Sequence, residues 1–172
     1  MPSCDPMSSA SPAWPDDACL GAGLPAAAEQ ALALAGLHYA EPEVALAHLE
    51  QARRMAPGHF AIDIGFYRFY FYRGRLHDAL RVAQECLRRA AQALGAGTDW
   101  RAVRADAADF ASFSALPRFL LFSLKGYAYL QLRLGALDEG RAALSKLAEL
   151  DVADRLKGSV LSDVLQGDPD DD

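Results

Sequence analysis

The sequence lacks the residue patterns that most catalytic and metal sites require. Its four histidines show no HxxxH or HExxH spacing, and its three cysteines form no CxxC pair. The two GAG stretches, at 21–23 and 95–97, are not followed by the lysine of a phosphate-binding loop, and no GxSxG occurs. We therefore expect no metal, no cofactor, no catalytic residue and no enzymatic activity.

Segments that would carry the chain out of the cytoplasm or into a bilayer are missing as well. The first residues have neither the basic start nor the apolar stretch of a signal peptide. No uncharged apolar run approaches the roughly 20 residues that cross a bilayer. An odd number of cysteines without a secretory leader is typical of a reducing compartment. We expect a cytoplasmic protein that does not bind membranes.

Residues that favour strands are scarce. Valine, isoleucine and threonine are few, whereas alanine and leucine dominate the 172 residues, and unbranched side chains lose little freedom in a helical turn. With 52% hydrophobic residues, the chain is long enough for one domain with a core. The predicted fold class is all-α, with a helical domain over 24–166 between a proline-rich, disordered tail (1–23) and an acidic tail (167–172).

Charge is unevenly distributed along this acidic chain, whose formal net charge is −6. Residues 59–133 carry eleven Lys and Arg against six Asp and Glu, while acids outnumber bases on both sides of that span. A basic middle can attract an acidic protein surface, whereas the acidic ends would repel nucleic acid. We expect a protein partner and no nucleic acid; the alternative is an ordinary solvated surface.

Two segments repeat a helical pattern about 34 residues apart. VALAHLEQARRMAP places Ala45, Leu49 and Ala52 on one helical face, and the next unit places Ala79 and Cys86 in the matching positions. Short side chains at such positions let paired helices approach closely. A third, divergent unit follows in GALDEGRAALSKLAELD, and ADRLKGSVLSDVLQ predicts a final amphipathic helix.

These patterns resemble the tetratricopeptide-repeat (TPR) family over residues 24–165. The resemblance implies antiparallel helical hairpins stacked as a short TPR-like solenoid, with a C-terminal helix capping the stack. An insertion at 95–117, with Trp100 as its anchor, interrupts the repeats. The predicted helices span about 25–40, 43–56, 59–73, 76–94, 118–134, 137–149 and 153–166.

The stretch GFYRFYFYRGR concentrates aromatic residues in the third predicted helix. Rings on every side of a helix predict burial on most sides. The repeat register predicts that Phe66, Tyr67 and Tyr70 face the following helix, and that Phe69 faces the preceding hairpin. This helix is therefore expected to form the centre of the core.

First helices of such repeats line the concave groove, and we expect the exposed strip there to bind a protein. Interleaved cations and rings can pair with carboxylates while covering apolar side chains. The alternative is that the rings only seal the core and the cations are solvated. Whether the groove or the insertion binds is left open. The candidate partner-binding residues are Arg68, Phe71, Tyr72, Lys125, Tyr129, Arg133 and Trp100.

A narrower resemblance covers roughly residues 57–165. DIGFYRFYFYRGRL, DWRAV and LPRFLLFSLKGYAYLQLRLGALDEG are similar to the small repeat-containing accessory proteins encoded beside nitrogen-fixation genes. This implies an adaptor or chaperone whose partner is a nitrogenase component or a factor that assembles or protects one. Two alternatives remain: a TPR-type secretion chaperone, and a helical small-ligand-binding protein with a pocket lined by Phe71, Tyr72 and Tyr129.

Overall fold

The computed structural model describes residues 23–166, which are helical throughout their regular structure and contain no strand. Each helix packs against the next along the chain, which gives stacked antiparallel hairpins closed by a terminal helix. The predicted all-α, solenoid-like class is thereby confirmed. The predicted tails, with Cys4, Trp14 and Cys19, lie outside the described residues, except for Gly23. The helices are α1 (Ala26–Leu37), α2 (Pro42–Met55), α3 (Phe60–Tyr72), α4 (Leu76–Ala93), α5 (Ala115–Arg133), α6 (Leu137–Leu150) and α7 (Gly158–Gln166), with a 3-10 turn at Trp100–Ala102.

Two glycines mark the end of the first helix in the second and third hairpins. Gly74 follows α3 with φ +70°, and Gly135 follows α5 with φ +84°. After α3, the amide of Gly74 donates to the Phe71 carbonyl (3.0 Å) and that of Arg75 to the Tyr70 carbonyl (2.9 Å). This pair of bonds is the Schellman arrangement, which favours glycine because of its positive φ. The turns set the antiparallel course of both hairpins.

Small side chains lie where paired helices approach most closely. Ala45 and Ala52 of α2 and Ala79 of α4 are fully buried, each with 0% exposure. Gly140 of α6 takes the equivalent place in the third hairpin, since a Cβ built there would lie 2.7 Å from Leu132 Cγ. The predicted role of short residues in helix pairing is therefore confirmed in all three hairpins.

The aromatic helix α3 lies between two hydrophobic clusters and contributes to both. Ile62, Phe66 and Phe69 pack with the first hairpin, α1 and α2, whereas Ile64 and Tyr67 pack with α4, α5 and α6. Burial on two opposite sides explains why a soluble chain concentrates rings here.

One assignment within α3 is wrong. Phe66 was predicted to face the following helix, but it lies in the cluster of the first hairpin, where the Arg53 guanidinium of α2 is 4.5 Å from the centre of its ring. Phe66 and Phe69 are three residues apart and therefore share one face of a helix. Phe69 does face the preceding hairpin, as predicted.

The insertion at 95–117 folds back onto the body. Trp100, Val103 and Phe110 are buried, and Lys146 Nζ of α6 donates to the Val103 carbonyl at 3.0 Å. The insertion thus has three apolar anchors and a polar tie to α6. Its last residues already belong to α5, which begins at Ala115.

The final helix is shorter than predicted. It begins at Gly158 rather than Ala153, because Asp154 and Lys157 adopt positive φ values of 50° and 57°, which a helix does not tolerate. Asp151 holds the intervening turn, since its Oδ2 accepts from the Leu156 amide at 2.9 Å. The connection 151–157 is therefore a turn rather than a part of α7, and Lys125 of α5 donates to its Leu156 carbonyl.

Candidate functional site

Four aromatic side chains join α3 to α5 near the C-terminal ends of both helices. The Phe71 ring stacks on Tyr67 at 5.6 Å between centroids, meets Tyr72 edge-on at 5.4 Å, and lies 5.5 Å from Tyr129 of α5. Tyr67 is buried, whereas Tyr72 is 48% exposed. The rings thus run from the core to solvent, which gives a rigid apolar floor with an accessible edge.

A cation borders this floor. The Arg133 guanidinium lies 5.8 Å from the centre of the Tyr129 ring, and its Nη1 donates to the Tyr129 hydroxyl at 2.9 Å. Among residues 23–166, the ion pairs join other cations and do not include Arg133. Arg133 is exposed, so an incoming carboxylate can reach it without breaking an existing ion pair.

Arg68 lies on α3 one turn before Tyr72 and is half-buried. We call the set Arg68, Phe71, Tyr72, Tyr129 and Arg133 the basic-aromatic surface. Six of the seven predicted partner-binding residues lie on helices α3 and α5, which the ring contacts bring together, and five of the six form this set.

Lys125, predicted for the same strip of α5, points elsewhere. Its side chain is 9% exposed, and Nζ donates to the Leu156 carbonyl. Burial lowers the pKa of this lysine, while the nearby carboxylates of Asp151 and Asp154 act in the opposite direction. The ammonium holds the 151–157 connection against α5, so we do not assign it to the basic-aromatic surface.

Trp100 is also buried and does not lie on the basic-aromatic surface. Its ring is 7% exposed and meets Tyr127 edge-on at 5.9 Å. Arg101 covers it at 4.3 Å and forms an ion pair with Glu139. The Tyr127 hydroxyl donates to the same carboxylate at 2.6 Å. Trp100 is thus buried as the anchor of the insertion, and we do not assign it to the basic-aromatic surface.

Further cation–ring pairs lie just after α3, and the sequence did not predict them. Arg75 lies 4.8 Å above the Tyr70 ring. Arg73 lies 4.6 Å from the Tyr39 ring and donates to the Tyr39 carbonyl, which ties α3 to the turn of the first hairpin. The YRGR sequence signals that cations follow rings here, but it does not show which ring each cation contacts.

A partly buried ion pair joins the two helices of the second hairpin, α3 and α4. Asp63 of α3 pairs with Arg89 of α4, and both side chains are largely shielded. Burial raises the pKa of Asp63, and the Arg89 guanidinium opposes this effect. Beside Asp63, Tyr67 and Cys86 lies a cavity of about 20 Å³, which has room for a single water. It does not fit an organic ligand.

Three further properties of the described part of the chain bear on function. No group of three or more His, Cys, Asp or Glu side chains among residues 23–166 could hold a metal ion. Over the same residues, no helix is both long enough and apolar enough to cross a membrane. Cys86 is a buried thiol whose pKa burial raises, so it is a poor nucleophile.

Comparison with known proteins gives one informative relative. No protein-family model and no solved structure matches the chain. The chain is 37% identical over 119 residues to an uncharacterized 19.8 kDa protein in the nifW 5' region of Azotobacter chroococcum mcd 1, and the match covers 68% of this chain and 67% of that protein. The chain belongs to the same family as this Azotobacter protein.

Proposed function

We propose that the chain is a non-enzymatic adaptor or chaperone of the nitrogen-fixation system, which binds a protein partner through its basic-aromatic surface. The observation that carries this proposal is the ring contact between Phe71 and Tyr129, 5.5 Å apart. It joins α3 and α5 into one floor, with the exposed Arg133 at its edge. A floor of rings bordered by a guanidinium suits a segment that carries an acidic and an apolar side chain together.

The TPR-like character of the scaffold is part of the proposal. Ala45, Leu49 and Ala52 of α2 and Ala79, Ala83 and Cys86 of α4 are buried, and each pair of counterparts is 34 residues apart, the TPR period. First helices of such hairpins form a concave surface in TPR proteins. The same arrangement here would place α3 and α5 side by side on the inner face of the stack.

The link to nitrogen fixation rests on the Azotobacter relative, whose name places its gene in the nifW 5' region. Genes encoded together in bacteria commonly serve one process, and the narrower sequence resemblance supports the same system. We propose that the partner is a nitrogenase component, or a factor that assembles or protects one, and that the interaction takes place in the cytoplasm.

Co-purification from the native host under nitrogen-fixing conditions tests the proposal. The full chain carries an affinity tag, either as the parent, as Arg133→Glu or as Arg141→Glu. Arg141 is a matched control because it is also exposed but already pairs with Asp138 at 3.4 Å. We expect nitrogenase or one of its assembly factors with the parent and with Arg141→Glu, and a loss with Arg133→Glu. Equal recovery from all three would contradict the assignment of the surface.

A further inference from the structure

A second cluster of cations and an aromatic ring lies at the opposite end of α5. Phe113, just before the helix, is 74% exposed. The Arg118 guanidinium, from the first turns of α5, lies 5.2 Å from the centre of its ring, and that of Arg155 lies 5.9 Å away. The insertion, α5 and the 151–157 connection each supply one of the three side chains. We call this set the insertion-tip cluster.

The cluster is held in place. Arg155 Nη1 donates to the Ala111 carbonyl at 2.6 Å, which fixes this guanidinium beside the insertion. Arg118 Nε is buried, so the base of its guanidinium is enclosed by the protein. Two cations held against one exposed ring lose little conformational entropy when they bind a ligand.

The arginines of this cluster have no carboxylate partner in the described part of the chain. The ion pairs of residues 23–166 include neither Arg118 nor Arg155, and the first turn of α5 has no acidic residue. By contrast, Arg104 of the same insertion pairs with Asp106 at 3.0 Å.

A neighbouring cavity of about 350 Å³ is lined by Arg155 and by three carboxylates. Each of these carboxylates already accepts a hydrogen bond or forms an ion pair with another group. Asp109 accepts from the Ala111 amide at 3.0 Å, Glu149 pairs with Lys146 at 2.9 Å, and Asp151 accepts from the Leu156 amide at 2.9 Å. These three acids are thus engaged, and among residues 23–166 no carboxylate pairs with either guanidinium of the cluster.

We propose that Phe113, Arg118 and Arg155 form a second docking surface, which binds an acidic segment of a partner protein. The two guanidiniums pair with carboxylates, and the exposed ring covers an apolar side chain of the same segment. Arg118 and Arg133 are 15 residues apart in α5, a rise of about 22 Å at 1.5 Å per residue. The insertion-tip cluster is therefore separate from the basic-aromatic surface, and it gives the insertion a binding role of its own.

A glutamate-rich peptide with a central phenylalanine is a suitable probe. It is titrated into the full chain at low ionic strength, while NMR follows the Nε–H signals of the arginines. We expect the signals of Arg118 and Arg155 to shift, and the affinity to fall about fivefold or more in Arg118→Gln or Arg155→Gln. Arg104→Gln is the matched control and should bind as the parent does. The parent should bind the phenylalanine peptide more tightly than a peptide with a central alanine, and Phe113→Ala should bind the two peptides equally.

Several outcomes would overturn this inference. They are an equal loss of affinity in Arg104→Gln and Arg155→Gln, no shift at the cluster, and tighter binding of an oligonucleotide of equal charge. Because Arg155 and Phe113 are exposed, their variants should fold even if Arg118→Gln does not. A loss of peptide binding in Arg133→Glu alone would assign the peptide to the basic-aromatic surface and remove the second site. The co-purification experiment would still stand on its own.

Discussion

The Tyr67 hydroxyl occupies the space that a side chain at Gly126 would need. A Cβ built on Gly126 would lie 2.8 Å from the hydroxyl oxygen and 3.1 Å from Cζ of the same ring. Tyr67 is buried, with 5% exposure, so its ring cannot simply turn away. The single hydrogen of Gly126 thus lets the aromatic helix α3 approach α5 and bring Phe71 to Tyr129.

Gly126→Ala is expected to lower the free energy of unfolding by about 1–3 kcal/mol through overpacking. The higher helix propensity of alanine would offset about 1 kcal/mol of strain. The matched control is Gly36→Ala in α1, where a built Cβ meets nothing within 4 Å. Urea unfolding should show that the control is as stable as the parent or more stable. Two variants with equal stability would contradict the close contact.

Because two hydrophobic clusters enclose α3, we expect truncation of the buried Phe66 or Tyr67 ring to destabilise the fold strongly. Phe66→Ala and Tyr67→Ala should each lower the free energy of unfolding by about 3–5 kcal/mol, from lost burial and the resulting cavity. Tyr72→Ala, on the exposed end of the same helix, should change it by less than about 1 kcal/mol. Thermal denaturation measures all three. Unchanged midpoints for the first two variants would show that these rings are not core.

Asp63 predicts a specific pH dependence of stability. Burial raises its pKa above the ordinary value of 3.8, so the folded chain holds this proton more tightly than the unfolded chain does. Stability from this group is therefore greatest at low pH and is lost as the pH rises through the raised pKa. Urea unfolding of the parent and of Asp63→Asn isolates the effect. The parent's stability relative to the variant should fall as the pH rises above the ordinary pKa of 3.8.

If the parent's relative stability instead rises with pH, the Arg89 guanidinium lowers the pKa of Asp63 by more than burial raises it. In that case the carboxylate would behave as an ordinary ion-paired aspartate, whose stabilising effect grows as the pH rises above the unfolded pKa. The difference between parent and variant removes the contribution of the other titrating groups. Those other groups include Asp78 and Glu85, whose pKa values are lowered by neighbouring arginines.

Lys125 predicts a role in holding the terminal helix. Lys125→Ala removes the donor to the Leu156 carbonyl, and we expect the free energy of unfolding to fall by about 1–3 kcal/mol because a partly buried acceptor is left without its bond. Hydrogen exchange should rise in residues 151–166 more than in α1 and α2. Lys157→Ala is the control, because Lys157 is exposed. Equal exchange in the two variants would contradict this role of Lys125.

The fold could be predicted from the sequence because its signals are local. Gly74 and Gly135 mark helix ends through their positive φ values, and the 34-residue spacing of small residues identifies which helices pair. Six of the seven predicted helices have starts and ends close to those observed. The seventh begins late because Asp154 and Lys157 adopt positive φ values, which are uncommon in residues other than glycine.

The candidate site was only partly predictable, because contacts between distant segments decide it. Tyr129 and Arg133 follow from helical spacing on α5. Lys125 has the same spacing, but the 151–157 connection contacts it. The sequence of that connection does not indicate this contact. Phe113 is conspicuous as the one large apolar residue in ASFSA. Its contact with Arg155 spans 42 positions and appears only in three dimensions.

Site-directed photocrosslinking tests the central claim most directly. A photoreactive phenylalanine analogue replaces either Tyr72, on the basic-aromatic surface, or Val160, which is 54% exposed on α7. Both positions accept a bulky ring because both are open to solvent. The tagged full chain is irradiated in its native host during nitrogen fixation. We predict a crosslink from position 72 to a nitrogenase component or one of its assembly factors, and none from position 160. A crosslink to such a protein from position 160 alone would contradict the account.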